Sequence, residues 1–279
     1  WRTQLREKSF RGWPQDAPDL NLEPAFSAER DGIRFSAWDF TSQESIRLRL
    51  YFAHRANLKP DELELVVLNV LDEQGWRDFL ATMRPGFEQQ LTVETLPEAS
   101  SDQYEDQKKM FQNFKWGMAY LAPRGIGPTA WDQSERKQTQ HRRRFQLLGQ
   151  TLDGMRVWDI VRGCAALRQA APVASTPLWL QAERNMSCNA LYAAIFTPDI
   201  KRVDLWHLPA SHQAGPDYLN VLRILDIPQA VAMAAEKSQV RIYQNELAAD
   251  WSFPQQTVEQ LGWDPKQLRI RTNPANDRK

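Results

Sequence analysis

The stretch "LWLQAERNMSCNALYAAIF" (178–196) concentrates the residues that could do chemistry. It reads as a short apolar strand, a tight polar turn and a helix of small residues. A side chain on such a turn stands clear of the strand end, which is how a nucleophile is exposed. Two residues compete for the turn, Arg184 and Ser187. Serine acyl transfer also needs an imidazole base, and the chain has four: His54, His141, His207 and His212. The segment "DLWHLPASH" gathers Asp204, His207 and His212. As a zinc set it is weak, because zinc needs clustered ligands and a strand here would send Asp204 and His207 to different faces. Cys164 and Cys188 fall in helical patterns and read as free core thiols.

The elements that must position these residues are legible as periodicities. "IRFSAWDF" (33–40) and "SIRLRLYF" (45–52) alternate and are joined by a polar turn, so they predict a hairpin. The strict alternation of Ile46, Leu48, Leu50 and Phe52 suits a sheet edge with one wet face. "LELVVLNVL" (63–71) and "WGMAYLAP" (116–123) are nearly continuous in apolar residues, as parallel strands covered on both faces are. "TPLWLQA" (176–182), "KRVDLWHL" (201–208), "SQVRIYQ" (238–244) and "QLRIRT" (267–272) complete the series. Helical spacing falls between them, in 145–170, in "NALYAAIF", in "IPQAVAMAAEK" and in "PQQTVEQLG" with Gly262 as a stop. "EASSDQYEDQKK" (98–109) reads as a surface loop or solvated helix. A hairpin followed by alternating strand and helix implies a mostly parallel sheet with helices on both faces. Residues 1–30, rich in charge and proline, read as an arm, and 31–279 as a single domain.

Composition narrows the function classes. Hydrophobic content of 42% and charged content of 25% are ordinary for a globular chain of 279 residues. Lys plus Arg and Asp plus Glu number 35 each, so no global field draws nucleic acid or an anionic membrane. The basic run "RKQTQHRRR" (136–144) lacks interleaved aromatics and reads as a solvated helix face, with a phosphate or acidic-glycan contact as its functional alternative. Most of the 11 tryptophans sit in apolar runs and read as core. Trp131 and Trp251 are the candidates for a sugar-stacking surface. No apolar run has the length of a membrane span. The chain begins "WRTQLREKSF", without Met or an apolar leader, so the expectation is a processed or excised part of a longer protein, with export compatible with it.

The order of these pieces resembles the α/β-hydrolase fold, and within it the acetyl xylan esterase-like family. The resemblance is carried by "RGIGPTAW", "RRRFQLLGQTLDGMRVWDIVRGCAALR", "LQAERNMSCNALYAA" and "PDYLNVLRILDIPQAVAMAAEKSQVRIYQ", and it covers about residues 30–272. It implies a triad in chain order Ser, acid, His, each on the loop after a set strand.

Tested against that pattern, the nucleophile slot has two registers. With "LWLQA" as the strand, Ala182 and Met186 stand where the family has glycine, and Arg184 stands where it has serine. A guanidinium has no lone pair to attack with. In the other register Ser187 is the nucleophile, flanked by Asn185 and Asn189, with Glu183, Arg184 and Asn185 crowded before it. Outside that register Ser187 reads as a helix N-cap. The acid slot after "VRIYQ" offers Asp250, with Glu246 nearby. The histidine slot after "LRIRT" holds "NPANDRK" and no imidazole. Oxyanion donors would come from "LDEQGW" (71–76) and from the turn itself.

The expectation is therefore an α/β-hydrolase-like domain related to carbohydrate esterases with a degenerate triad. Its role would be binding or structural, its partners a carbohydrate or small acidic ligand and other domains of a longer chain, and it needs no cofactor or metal. Arg184 would occupy the former nucleophile position, where it could hold a carboxylate or pair with Glu183 or Asp250, a buried pair with the aspartate being the expectation. The alternative is an active serine esterase on acetylated sugars. It would use Ser187 with His212 or His207 and an acid such as Asp226 or Asp250.

Overall fold

Asp72, an oxygen acceptor placed three residues before Gly75, starts the first long helix, and alternating strands precede it. The structure is a computed structural model of the chain and describes residues 1–272 apart from 92–94, 133, 172, 174 and 245–249. In chain order the elements are α1 (Arg2–Gln4), continued by a π-helical turn (Leu5–Ser9), then β1 (Glu23–Arg30), β2 (Ile33–Gln43), β3 (Ile46–Arg55), β4 (Leu65–Val70), α2 (Glu73–Phe87), α3 (Ser101–Asn113) and β5 (Trp116–Leu121). They continue with α4 (Glu135–Leu147), α5 (Leu152–Ala170), β6 (Leu178–Glu183), α6 (Arg184–Phe196), β7 (Ile200–Trp206), α7 (Ile227–Ala235), β8 (Gln239–Gln244), α8 (Ser252–Gln260) and β9 (Leu268–Thr272).

The chain clusters into two compact units. One comprises Asp16–Trp131 and Arg162–Leu178, with strand order β1-β2-β3-β5-β4. Its hairpin pairs Ile33 with Arg55 through to Gln43 with Ile46, as the alternation predicts. Beyond it the sheet turns parallel, β4 against β5. The edge strand is β1, antiparallel to β2, so β3 lies inside the sheet between β2 and β5. The expected wet face of β3 is confined to its first residues, and Leu50–Ala53 are all buried. Glu23–Arg30, assigned to the arm on sequence, is a strand in which Phe26 and Ala28 alone are partly covered, too short an apolar pattern to stand out.

Helix α2 also carried no periodic signal, since Gly75, Pro85 and Gly86 interrupt it. Each has a structural reason. Asp72 caps the helix by accepting from the Gly75 amide at 2.8 Å. Pro85 cannot donate to the Ala81 carbonyl, which accepts instead from the Ser100 amide at 2.9 Å. A side chain at Gly86 would collide with the Tyr104 ring, whose hydroxyl donates to Asp31 at 3.0 Å. The 98–109 stretch, read as loop or solvated helix, is helical from Ser101 on, within α3, which buries Tyr104 and Phe111.

The other unit comprises Trp1–Gln15, Asp132–Val161 and the described residues from Trp179 on, with strand order β6-β7-β8-β9. β7, β8 and β9 are parallel and in register. Its aromatic core joins the N-terminal segment to the helices. Phe10 stacks on Trp13 at 4.6 Å and meets Tyr192, Phe196 and Tyr218 edge-on. Trp13 Nε1 donates to the Gly154 carbonyl at 2.7 Å. The mostly parallel sheet with surrounding helices and an antiparallel N-terminal hairpin is thus the architecture expected from sequence.

Candidate active site

In β6, Leu178, Leu180 and Ala182 point inward, while Trp179, Gln181 and Glu183 alternate with them and stay half-exposed. The chain turns at Arg184, whose φ of 53° lies in the left-handed region. A non-glycine residue held there costs about 1–3 kcal/mol of backbone strain. The helix that follows is buried from Met186 to Ile195, which its run of alanines permits by letting neighbours approach closely.

The strand-to-helix turn therefore presents Arg184. Its side chain is 46% exposed and pairs with Glu183 at 2.7 Å, one of the two partners the sequence offered, and not in the expected buried pair with Asp250. Ser187 lies one turn inside α6, fully buried, and its hydroxyl donates to the Arg184 carbonyl. It is not the N-cap that was expected. Glu183 holds the cap position without a side-chain bond. Inside a helix a serine commonly satisfies its hydroxyl on the carbonyl a turn back. Met186 is buried, and its sulfur accepts from Asn189 Nδ2 at 3.2 Å.

His212 and Asp226 come together, though not through the imidazole. Asp226 caps α7. Its Oδ1 accepts from the Ile227 amide at 2.8 Å and the His212 amide at 2.7 Å, and its Oδ2 from Ser211 Oγ at 2.6 Å. Partial burial pushes this carboxyl up, but these donors outweigh it and hold it below the usual range. The His212 ring instead reaches α6, with Nε2 at 2.8 Å from the Tyr192 hydroxyl. Burial depresses its pKa against the opposing pull of Asp226 and of the Pro216 backbone. His212 is buried and lines a depression of about 330 Å³ together with Tyr218 and Arg223.

The remaining candidates are dispersed. His207 follows β7 with a φ of 53°, and its amide donates to the Tyr243 carbonyl at 2.9 Å. Asp250 is exposed, and the Ser252 hydroxyl and then its amide, which donates at 2.8 Å, lower its pKa at the start of α8. Glu246 and the segment after Thr272 lie outside the described residues. His54 is buried on β3, with Nδ1 2.9 Å from the Arg55 carbonyl, and His141 lies on α4. Asp204 is not part of a histidine set. It accepts from Arg202 Nη2 at 2.8 Å, and Arg202 stacks over Trp179 at 4.2 Å. Among the described residues no three His, Cys, Asp or Glu side chains come together to hold a metal. Trp251 is buried, so it offers no stacking face, and Trp131 is half-buried. Cys164 and Cys188 are free and buried. Burial pushes the Cys164 thiol up to about 12.

Sequence reasoning missed the polar set behind the turn. Tyr218 donates to Asn189 Oδ1 at 2.5 Å, and Tyr192 and Tyr218 meet edge-on at 4.9 Å beside His212. The one sequence signal was a tyrosine and an asparagine inside an otherwise apolar helix.

No model of a known protein family matches the chain, and no curated protein resembles it significantly in sequence. Solved structures do resemble it. A putative acetyl xylan esterase from Bacteroides fragilis superimposes over 98% of this chain and 73% of its own, with a TM-score of 0.69 and 13% identity. A glucuronoyl esterase from Solibacter usitatus covers 94% of this chain and 83% of its own, with a TM-score of 0.60 and 11% identity. An acetyl xylan esterase from Paenibacillus sp. R4 covers 94% and 84%, with a TM-score of 0.53 and 11% identity. Among the described residues no helix is long and apolar enough to cross a membrane.

Proposed function

We propose that this chain, which has the α/β-hydrolase fold, is a non-catalytic relative of carbohydrate esterases with a binding or structural role in a larger protein. The observation that carries the reading is the left-handed turn between β6 and α6, where the backbone strain that exposes a nucleophile is kept and the side chain is Arg184. A guanidinium stays protonated and cannot attack a carbonyl. The nearest serine in the helix is buried, with its hydroxyl spent on the Arg184 carbonyl. The names of the structural neighbours, acetyl xylan and glucuronoyl esterases, suggest a carbohydrate or a small acid as ligand. Its carboxylate would take the place of Glu183 on Arg184, in the fork geometry that arginine offers.

An active esterase working through Ser187 needs that hydroxyl to leave its helical partner and meet His212 or His207. The two readings separate in one assay. Hydrolysis of p-nitrophenyl acetate and of a methyl glucuronate ester is expected to match the uncatalysed background and to be unchanged in Ser187→Ala. Turnover above background that Ser187→Ala abolishes, in a variant that keeps its circular dichroism, would sink the proposal.

A further inference from the structure

Helix α4 is unlike every other long helix of the chain, because none of its residues is buried. A helix with no fully buried residue takes little of its support from a core. At 100° per residue, Arg136, Arg143 and Leu147 fall within about 40° of one another on one stripe, with Lys137 and Arg144 beside it. All five are exposed. The acids near this stripe, Asp132 and Glu135, sit at the N-terminal end of the helix. At the other end Leu147 is 87% and Leu148 72% exposed. Arg142, on the flank, pairs with Asp217 at 2.7 Å. That contact ties α4 to the loop carrying Leu222, itself 52% exposed.

From this juxtaposition, four unburied cations beside an unburied leucine pair on an exposed helix, we infer that α4 docks the protein onto an anionic lipid surface. The chain's zero formal net charge hides this patch, because attraction to a membrane is set within a Debye length of the surface. Acidic polysaccharide would satisfy the arginines but leave both leucines in water. A bilayer interface takes both, the guanidinium groups among the headgroups and the leucines at the acyl boundary. The helix lies on the membrane and does not span it.

The test is co-sedimentation of the chain with vesicles of phosphatidylcholine containing 30% phosphatidylserine, and with neutral vesicles. The expected result is binding to the anionic vesicles alone, weakened by added salt. Arg143→Glu/Arg144→Glu and Leu147→Ser/Leu148→Ser should each reduce it at least tenfold. These side chains are exposed, so thermal melts of both variants should overlay the parent. Failure to sediment with anionic vesicles would overturn the inference. So would equal binding by the leucine variant, and so would binding to soluble polygalacturonate that outcompetes the vesicles.

Discussion

Ser187 gives its hydroxyl to the carbonyl of Arg184, three residues before it on the first turn of α6. The serine hydroxyl of this helix is thus engaged with the backbone of the residue that occupies the exposed turn. Because this bond is local to the helix, Ser187→Ala should cost no more than about 1 kcal/mol. Urea denaturation checks this, and a much larger loss would mean that Ser187 supports more than its own turn.

Arg184 holds a left-handed backbone without being glycine. Arg184→Gly should relieve strain of about 1 kcal/mol against the loss of a half-exposed ion pair with Glu183 of about 0–1 kcal/mol. Arg184→Val adds β-branching at positive φ and should destabilise by about 1–2 kcal/mol. Paired denaturation midpoints, glycine at or above the parent and valine below, would establish that the strain is real.

Asp226 satisfies three donors and completes a capping box with Gln229. Asp226→Ala should lower stability by about 2 kcal/mol, with Asp226→Asn recovering part of it. As a catalytic acid Asp226 would instead be silent in denaturation and visible in turnover, so the two measurements discriminate between the roles.

His212 and His54 both have their pKa values depressed, first by burial. Below about pH 6.5 the unfolded chain takes up protons that the folded chain resists. Stability from this source is fully present above that pH and is lost as pH falls through the window beneath it. Urea midpoints between pH 5 and pH 7 should therefore rise with pH. His212→Gln should remove a share of the slope and leave the share due to His54.

Trp13 anchors the N-terminal segment through its stack with Phe10 and its bond to Gly154. Trp13→Ala should cost about 3–5 kcal/mol. Limited proteolysis within residues 1–15 reports whether that segment is released before the rest unfolds.

The parts of this fold that sequence revealed are those with a short-range signature. The alternation of β2 and β3, the apolar runs of β4 and β5 and the alanine-rich α6 each follow from which faces must be dry. β1 was hidden because its covered face amounts to Phe26 and Ala28 in an otherwise exposed edge strand, which is little contrast. α2 was hidden because its proline and glycines answer to Ser100 and Tyr104, which the sequence does not place beside them. At the site, the strand, the turn and the helix behind it were legible, while Arg184 and Ser187 competed for the turn, which the backbone gives to Arg184. The pairing of His212 with Tyr192 was not, since a loop of irregular backbone decides where that ring returns.

The most direct measurement of the central claim is labelling with a fluorophosphonate serine probe, the modified residue being mapped by mass spectrometry. The account predicts no label on the chain while a control esterase in the same tube is labelled. Label on Ser187 that heat denaturation abolishes would contradict it and make the buried hydroxyl a working nucleophile.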